Sequence, residues 1–286
     1  MKRIATVQDI SCLGKCSLTV ALPIISAMGV ECAIVPTAVL STHTMFQGFT
    51  FCDLTGEIEK ISAHWKREGF AFDALYTGYL GSLEQIDLMK KFFADFKNAN
   101  TLCVVDPCMA DDGKLYPGFT ETFAKKMASL VAIADVALPN LTEASFLLSM
   151  PYKKTGEYDE EYVKKILLSI SELGAKKVVL KGVQFTSDQE TVKNVAGKIG
   201  IASYDSETKK FAWYFHTKQP ELFHGTGDIF ASVFTGSMMR GLSFEKSYAL
   251  AGDFVERAIA ETLSHSPHNK YGVDFESTIP YLIGRL

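Results

Sequence analysis

Short apolar runs alternate with longer amphipathic segments along most of this chain, and this alternation is what most limits its fold. The runs at 102–105 (LCVV) and 177–180 (KVVL) are rich in β-branched residues, and turns or helix-like segments follow them. The longer segments repeat apolar side chains every three or four residues, which is the period of an α-helix. Nearly continuous apolar strands separated by helices predict a parallel sheet that is covered on both faces.

The predicted elements share this order up to about residue 190, where the pattern changes. The strands are Arg3–Val7, Glu31–Leu40, Ala74–Tyr79, Leu102–Val105, Asp135–Leu138 and Lys177–Leu180, and the helices are Ser17–Met28, Thr55–Glu68, Ser82–Lys97, Thr120–Val131, Leu141–Ser149 and Asp159–Leu173. Two runs, Val192–Tyr204 and Lys209–His216, then predict an antiparallel hairpin, and only helices follow. We therefore predict one α/β domain over residues 1–286. It has three layers, with a mostly parallel central sheet, helices on both faces and a small antiparallel hairpin near 190–218.

Composition and charge limit the partners that such a domain can take. The chain has 286 residues, of which 47% are hydrophobic and 22% charged, and its net charge is -4. These fractions exclude a disordered chain, and the net charge excludes a broad basic surface for nucleic acid or an anionic membrane. No uninterrupted apolar run reaches membrane-spanning length. Small molecules are the expected ligands.

The cysteines and the N-terminus indicate the compartment. None of the six cysteines stands in a CxxC pair or at zinc-finger spacing; they are Cys12, Cys16, Cys32, Cys52, Cys103 and Cys108. We expect free thiols in a reducing cytoplasm, because a chain of this length does not need disulfides. The first ten residues, MKRIATVQDI, predict a strand and not a signal peptide, since their apolar run is short and interrupted.

One segment near the C-terminal quarter carries most of the chemical information. His224 to Asp228 read HGTGD and stand directly before a strong helical pattern. Small residues at a helix N-terminus leave backbone N–H groups open to an anion, and the helix dipole favours negative charge there. Asp228 would repel that anion as a ligand, but it suits a base that takes a proton from an attacking hydroxyl. The structural alternative is that Asp228 only caps the helix.

Several further segments accompany HGTGD in a fixed order. They are Ser41–Thr44 (STHT), Thr77–Ser82 (TGYLGS), Asp106–Met109 (DPCM), Pro139–Glu143 (PNLTE) and Val178–Gly182 (VVLKG). Together with GTGD they resemble the motifs SNHT, SGYLGS, DPVM and PNxxE of pyridoxal kinases. The chain therefore resembles the vitamin B6 kinase branch, the pyridoxal/pyridoxamine kinases, of the ribokinase-like superfamily. The resemblance spans about residues 5 to 240 and implies a ribokinase-like fold.

The resemblance implies roles on the side of the substrate that receives the phosphoryl group. Asp228 would be the catalytic base for the 5′-hydroxymethyl group of a B6 vitamer. The N–H groups of Gly225, Thr226 and Gly227 would stabilise the transferring phosphoryl group. Pocket residues would include His43, Thr44 and Tyr79. The product would be a vitamer 5′-phosphate, made in the salvage of pyridoxal 5′-phosphate.

The resemblance also implies a nucleotide side. Lys181 would face the phosphates of ATP, with Asn140 and Asp106 nearby, and Glu143 and Asp106 would hold Mg²⁺. By position alone, Arg257 and the loop 266–271 are expected near the adenine. A monovalent cation such as K⁺ and a homodimer are further implications of the family, and a membrane or nucleic-acid partner is not expected.

One departure from the family pattern falls in the first loop. The pyridoxal kinases carry a serine after their first strand, and alignment on Gly14 puts Asp9 there. The family stretch YGHAGNS reads Leu13–Thr19 (LGKCSLT) in this chain, so the pocket near the ring is altered. A carboxylate beside a primary ammonium forms a charge-assisted pair. We therefore hypothesise that Asp9 favours the aminomethyl group of pyridoxamine.

Other functions remain open at this point. A hydroxymethylpyrimidine kinase of thiamine synthesis shares the fold and the aspartate base, but TGYLGS and STHT weigh against it. A sugar kinase would carry a longer lid of extra strands. A B6-binding protein without activity would be expected to lose Asp228, Glu143 or Lys181. A P-loop is excluded, because Gly14–Ser17 lacks the GxxxxGK[ST] spacing.

Overall fold

The computed structural model describes residues 1–265, 267–269 and 271–286. Within it the chain forms two compact units: residues 1–103 with 219–286, and residues 104–218. The single domain over residues 1–286 stays a prediction. No helix among the described residues is both long and apolar enough to cross a membrane.

Helices and strands alternate along most of the chain, as the periodicity predicts. The strands are β1 Arg3–Leu13, β2 Glu31–Thr42, β3 Phe51–Asp53, β4 Ala74–Thr77, β5 Leu102–Val105, β6 Ala110–Asp111, β7 Lys114–Leu115, β8 Val136–Ala137, β9 Lys177–Val183, β10 Lys198–Asp205 and β11 Lys210–Thr217. The helices are α1 Leu18–Ala27, α2 Thr55–Arg67, α3 Leu83–Phe96, α4 Glu121–Val131, α5 Leu141–Leu147, α6 Glu160–Leu173, α7 Thr226–Met239, α8 Phe244–Ser264 and α9 Ile279–Ile283, with a 3₁₀ turn at Glu276–Thr278. Their starts follow capping chemistry, since the hydroxyls of Ser82, Thr120 and Ser243 accept an N–H from the first turn of α3, α4 and α8.

In the first unit, β1 is the central strand. It pairs in parallel with β2 on one side and with β4 on the other, and β3 pairs antiparallel with the far edge of β2. β1 continues to Leu13, beyond the predicted end at Val7, because its later residues still pair with β2. The register shifts between Gln8 and Ile10, which leaves Asp9 at a β-bulge. Bulges re-aim side chains, and they are common next to active sites.

Helix α7 forms the core of the same unit. Its middle, from Ile229 to Ser237, is buried on every side, and it contacts both α1 and α8. A helix whose residues are apolar or small on every face is typical of a core position. This burial fixes the N-terminus of α7, where the HGTGD segment lies.

In the second unit, β8 and β9 lie at the centre. β8 pairs in parallel with β5 and β9, while β10 pairs antiparallel with β9 and with β11. β10 and β11 are the hairpin predicted near 190–218, although β10 begins at Lys198 and not at Val192. A second hairpin, β6–β7, was not predicted, since its strands have two residues each. The α/β class with a mostly parallel sheet is confirmed.

Candidate active site

The N-terminus of α7 has the geometry of an anion site. Gly225 is its N-cap residue, with φ of 79°, and the first helical hydrogen bond runs from the N–H of Ile229 to the carbonyl of Gly225 at 2.9 Å. The N–H groups before Ile229 therefore have no helical carbonyl to bind. Asp228 lies in the first turn and is not the cap, so the capping alternative for this residue is wrong.

Gly225 cannot be replaced without displacing its neighbours. A Cβ atom at this position would lie 1.7 Å from the carbonyl oxygen of Lys15, and the positive φ disfavours any side chain. Gly241 has a similar φ of 86° with nothing within 4 Å of its Cβ position. Substitutions at these two glycines can therefore be compared to separate the cost of backbone strain from the cost of a steric clash.

Alanine at these two glycines is expected to have unequal effects. Gly241→Ala should cost about 1–2 kcal/mol of unfolding free energy from backbone strain. Gly225→Ala should cost roughly 2 kcal/mol more, because the chain around Lys15 must move. Urea unfolding of both variants measures the difference, and equal losses would contradict the close approach of the two loops.

Asp228 is held by the loop that joins β1 to α1. Its side chain is buried, with the residue 7% exposed, and its Oδ2 atom accepts the backbone N–H of Ser17 at 2.9 Å. A buried carboxylate with a fixed orientation is suited to take a proton from a bound hydroxyl.

A second buried carboxylate, that of Asp9, lies at the bulge of β1, before this loop. Asp9 is 5% exposed, and the hydroxyl of Ser11 donates a hydrogen bond to its Oδ2 atom at 3.2 Å. Among the described residues Asp9 forms no ion pair with a cationic side chain, and burial raises its pKa. Burial and then the charges of Asp228 and Asp9 raise the pKa of the Cys16 thiol to about 12, so Cys16 stays protonated at neutral pH.

His43, of the STHT segment, reaches the same region. Its ring stacks on His224 with centroids 4.9 Å apart, and burial together with that neighbour lowers its pKa to about 4. The N–H of Met45 points to His43 Nδ1 at 3.4 Å, which places the proton of the neutral ring on Nε2. Nε2 is buried and has no hydrogen-bond partner in the described structure. It is therefore a donor that a bound ligand can use.

The remaining pocket candidates, Thr44 and Tyr79, are half-buried. Thr44 follows His43 directly. The backbone carbonyl of Tyr79 accepts the hydroxyl of Thr37 at 3.3 Å, and its ring lies 3.6 Å from the Cβ position of Gly81. Their roles in binding stay predictions.

The predicted nucleotide residues come together in the second unit. Lys181 Nζ binds both carboxylate oxygens of Asp106, at 2.8 and 2.9 Å, and both residues lie in the interior. Burial alone would lower the pKa of Lys181, but the charges of Asp106 and Glu143 outweigh it and raise that pKa. The lysine therefore stays charged, and its ammonium group can bind a further anion.

Glu143 and Asn140 form a capping box at the start of α5. The side chain of Asn140 accepts the N–H of Glu143, while Glu143 accepts the N–H groups of Asn140 at 2.8 Å and Met109 at 3.3 Å. Burial, reinforced by the neighbouring charge of Asp106, raises the pKa of Glu143 to about 8, against the opposing charge of Lys181. The capping role of Asn140 was missed in the sequence, although PNLTE carries its signature of Asn with Glu three residues later.

The donor set fits a magnesium ion held by few protein groups. Mg²⁺ prefers carboxylate oxygens, keeps several waters and shares phosphate oxygens with its ligand. Asp106 and Glu143 are two neighbouring buried carboxylates of this kind. Within the residues that the structure describes, no group of three or more His, Cys, Asp or Glu forms a closed metal site.

Two important residues were not predicted as site residues. The backbone N–H of Ser17 binds Asp228, and Lys15 anchors the loop that carries Ser17. Their only sequence signal is that they lie in the stretch that departs from the family pattern. Of the loop expected near the adenine, Ser266 and Lys270 lie outside the described residues. The cysteines are all described, and each is a free thiol, as expected.

Comparison with known proteins shows which family the chain belongs to. The phosphomethylpyrimidine kinase family matches residues 21–273. A candidate phosphomethylpyrimidine kinase from Bacteroides thetaiotaomicron, crystallised with pyridoxal, is 38% identical with a TM-score of 0.91; the match covers 98% of this chain and 95% of that one. The pyridoxal kinase of Lactobacillus plantarum is 31% identical with a TM-score of 0.88, over 99% of this chain and 97% of that one.

A curated relative shows the same family. The pyridoxine kinase of Bacillus subtilis is 30% identical over 207 residues, which are 71% of this chain and 69% of that protein. The resemblance to vitamin B6 kinases that the motifs indicated is thus confirmed, and the matches support a kinase. The chain belongs to the phosphomethylpyrimidine kinase family of the ribokinase-like superfamily.

Proposed function

We propose that this protein transfers the γ-phosphoryl group of ATP to the 5′-hydroxymethyl group of a vitamin B6 vitamer, and that pyridoxamine is the preferred one. The observation that carries this proposal is the buried carboxylate of Asp228, in the first turn of α7 beside an anion site. A base next to a phosphoryl-binding helix terminus is the arrangement that hydroxyl phosphorylation needs.

The reaction follows from these groups. The substrate oxygen attacks the γ-phosphorus, the bond from that phosphorus to the β–γ bridging oxygen breaks, and ADP leaves. The hydroxyl proton passes to the carboxylate of Asp228. The N–H groups of Gly225, Thr226 and Gly227 stabilise the negative charge of the phosphoryl oxygens, because they are fixed before the reaction begins. His43 Nε2 offers a hydrogen bond to an acceptor on the ring.

The second unit supplies the nucleotide side of the proposal. Lys181 binds a phosphate of ATP, and Asn140 holds the segment that carries Glu143. Asp106 and Glu143 would hold Mg²⁺, which neutralises phosphate charge when bound. A requirement for a monovalent cation, a homodimer and a cytoplasmic location complete the proposal, the last supported by the free thiols.

Asp9 supports pyridoxamine over the other vitamers. A buried carboxylate without a cationic partner is unfavourable, and the ammonium of pyridoxamine supplies the missing charge. Pyridoxal and pyridoxine offer no such cation in the aminomethyl position.

Asp9→Asn is expected to weaken this preference. The kcat/KM for pyridoxamine should fall by about 10-fold or more relative to pyridoxine, since a hydrogen bond to a charged group is lost. Pyridoxine is the internal control in the same assay. A pyridoxamine-to-pyridoxine ratio equal to that of the unmodified enzyme would refute the role of Asp9.

Hydroxymethylpyrimidine is the second candidate substrate. The family that matches residues 21–273 is described by a pyrimidine kinase activity, and the Haemophilus influenzae hydroxymethylpyrimidine/phosphomethylpyrimidine kinase is 26% identical over 210 residues. The exocyclic amino group of hydroxymethylpyrimidine is uncharged at neutral pH. Its contact with the Asp9 carboxylate would therefore be weaker than that of an ammonium group.

ADP release from ATP and Mg²⁺ tests the proposal. The purified protein is assayed with pyridoxamine, pyridoxal, pyridoxine and hydroxymethylpyrimidine, with and without K⁺. Turnover of a B6 vitamer, highest for pyridoxamine, is the expected result. Turnover of the pyrimidine alone would support the second candidate, and binding without ADP release would support a vitamer-binding protein.

A further inference from the structure

Gln85 lies in the first turn of α3 and is fully buried, yet the proposed reaction does not use it. The sequence SLEQ at 82–85 carries the signature of a capping box, in which the glutamine would bind the N–H of Ser82. Only half of that box forms. Ser82 Oγ accepts the N–H of Gln85 at 3.2 Å, whereas Gln85 Oε1 accepts the N–H of Gly81 at 2.7 Å. The amide therefore binds the loop before the helix and not the helix cap.

The nitrogen of the same amide binds two neighbouring segments. Gln85 Nε2 donates to the carbonyl oxygen of Thr37 in β2 at 3.0 Å and to the hydroxyl of Thr55, the first residue of α2, at 2.9 Å. The carbonyl of Thr37 can only accept and the N–H of Gly81 can only donate, so these two groups fix which end of the amide is oxygen. The buried amide thus uses its oxygen and both of its hydrogens.

Thr37 binds the same loop a second time. Its hydroxyl donates to the backbone carbonyl of Tyr79 at 3.3 Å, while Gln85 binds its own carbonyl. The loop is therefore bonded at both Tyr79 and Gly81. Thr37 and Gln85 are fully buried, so water cannot take over these bonds unless the structure opens.

The segments that Gln85 joins carry two aromatic rings. Measured from the position that a Cβ atom on Gly81 would take, the Tyr79 ring lies 3.6 Å away, Gln85 Oε1 3.8 Å and the Phe51 ring 3.9 Å. Phe51 stands in β3, four residues before Thr55. Tyr79 is half-buried and Phe51 is 47% exposed, so the two residues form a partly exposed aromatic surface. A flat heteroaromatic ring can stack on such a surface.

We propose that Gln85 is a positioning residue that holds Tyr79 and Phe51 in the arrangement that binds the ring of the phosphoryl acceptor. Its hydrogen bonds fix the loop that carries Tyr79 against Thr37, and against Thr55 close to Phe51. Without them the two rings lose their fixed separation, and the bound ring loses part of its contact. This proposal rests on the proposed function, since it takes the acceptor to be a flat ring.

Gln85→Met tests the amide with little change of shape. It removes the three hydrogen bonds of the side chain and keeps its length and approximate volume. Thr101→Val is the matched control, because Thr101 is also buried and its hydroxyl donates to Phe72 O at 2.9 Å, before the start of β4, whereas Tyr79 follows the end of that strand. Both variants should lower the Tm, since each loses buried hydrogen bonds.

The first measurement is kcat and KM for pyridoxamine, pyridoxine and ATP. Gln85→Met is expected to raise the KM of both vitamers by about 5- to 10-fold, the size of a stacked aromatic contact. The two vitamers should be affected equally because they share the ring. The kcat and the KM for ATP should stay within about 2-fold, as expected when uniform binding is lost. Thr101→Val should leave all of these constants near the unmodified values.

Two kinetic outcomes would overturn the proposal. One is an unchanged KM for the vitamers in Gln85→Met, and the other is an equal rise in Thr101→Val, which would show that lost stability alone is the cause. Where Gln85→Met does not fold, Thr55→Val removes one of the three bonds and should raise the KM of the vitamers by about 2-fold.

A second measurement does not depend on turnover. Hydrogen exchange at the Gly81 amide should be at least about 10-fold faster in Gln85→Met, because its acceptor is gone, and unchanged in Thr101→Val. An unchanged exchange rate in Gln85→Met would overturn the positioning role. If the unmodified enzyme turns over no B6 vitamer, the proposed function fails, and the exchange rates still decide whether Gln85 holds the loop.

Discussion

Asp228→Asn is expected to lower kcat by roughly 10²- to 10⁴-fold while leaving the fold intact. The amide cannot take the proton of the substrate hydroxyl. Its oxygen can still accept the N–H of Ser17, so the local structure and the stability should persist. Steady-state ADP release measures kcat, and thermal unfolding measures the fold.

The control is Glu245→Gln, which also neutralises a first-turn acid, but on the exposed start of α8. It should leave kcat within about 2-fold, as expected of a surface substitution. An Asp228→Asn enzyme with more than a tenth of the unmodified kcat would show that another group accepts the proton.

Lys181→Met is expected to cost about 3–5 kcal/mol of unfolding free energy, the largest stability effect that we expect here. The substitution leaves the buried carboxylate of Asp106 without its cation, and Glu143 loses the same neighbour. Urea unfolding near neutral pH measures the loss.

The stability lost in Lys181→Met should increase as the pH rises. Burial raises the pKa of Asp106 in the folded state above 3.8, so the folded chain binds the proton more tightly than the unfolded chain. Without Lys181 this effect grows, and stability falls as pH rises from about 4, the unfolded pKa of an aspartate. The variant should therefore be closest to the unmodified protein in acid.

Lys176→Met is the matched control. The side chain of Lys176 is 56% exposed and pairs with Asp135 at 2.8 Å, just before the strand that carries Lys181. An ion pair whose lysine is this exposed is worth less than about 1 kcal/mol. Equal losses in the two variants, or a loss at Lys181 that does not change with pH, would show that Asp106 is not ionised in the folded protein.

The sequence predicted the elements whose signals are local. Apolar periodicity identified most strands and helices, because the residues that set the period lie within one segment of the chain. The end of β1 was missed, since its last residues are ordered by pairing with β2, and no local pattern marks that pairing.

The candidate site residues also divide into those with a local sequence signal and those without one. Contiguous motifs in the sequence made Asp228 and Glu143 candidates, and their roles stay predictions. Ser17 was missed because its bond to Asp228 joins residues 211 positions apart. Lys15 was missed for the same reason, since its partner Asp274 is 259 positions away.

By itself the sequence determined the α/β class, the family and the identity of the candidate base, since periodicity and short motifs are properties of neighbouring residues. Only the tertiary structure decided that Gly225, and not Asp228, caps α7, that Asp9 lies at a β-bulge, and that the N–H of Ser17 binds Asp228. Those facts depend on burial and on contacts between distant segments, which form only when the loop after β1, the start of α7 and the C-terminal segment pack together.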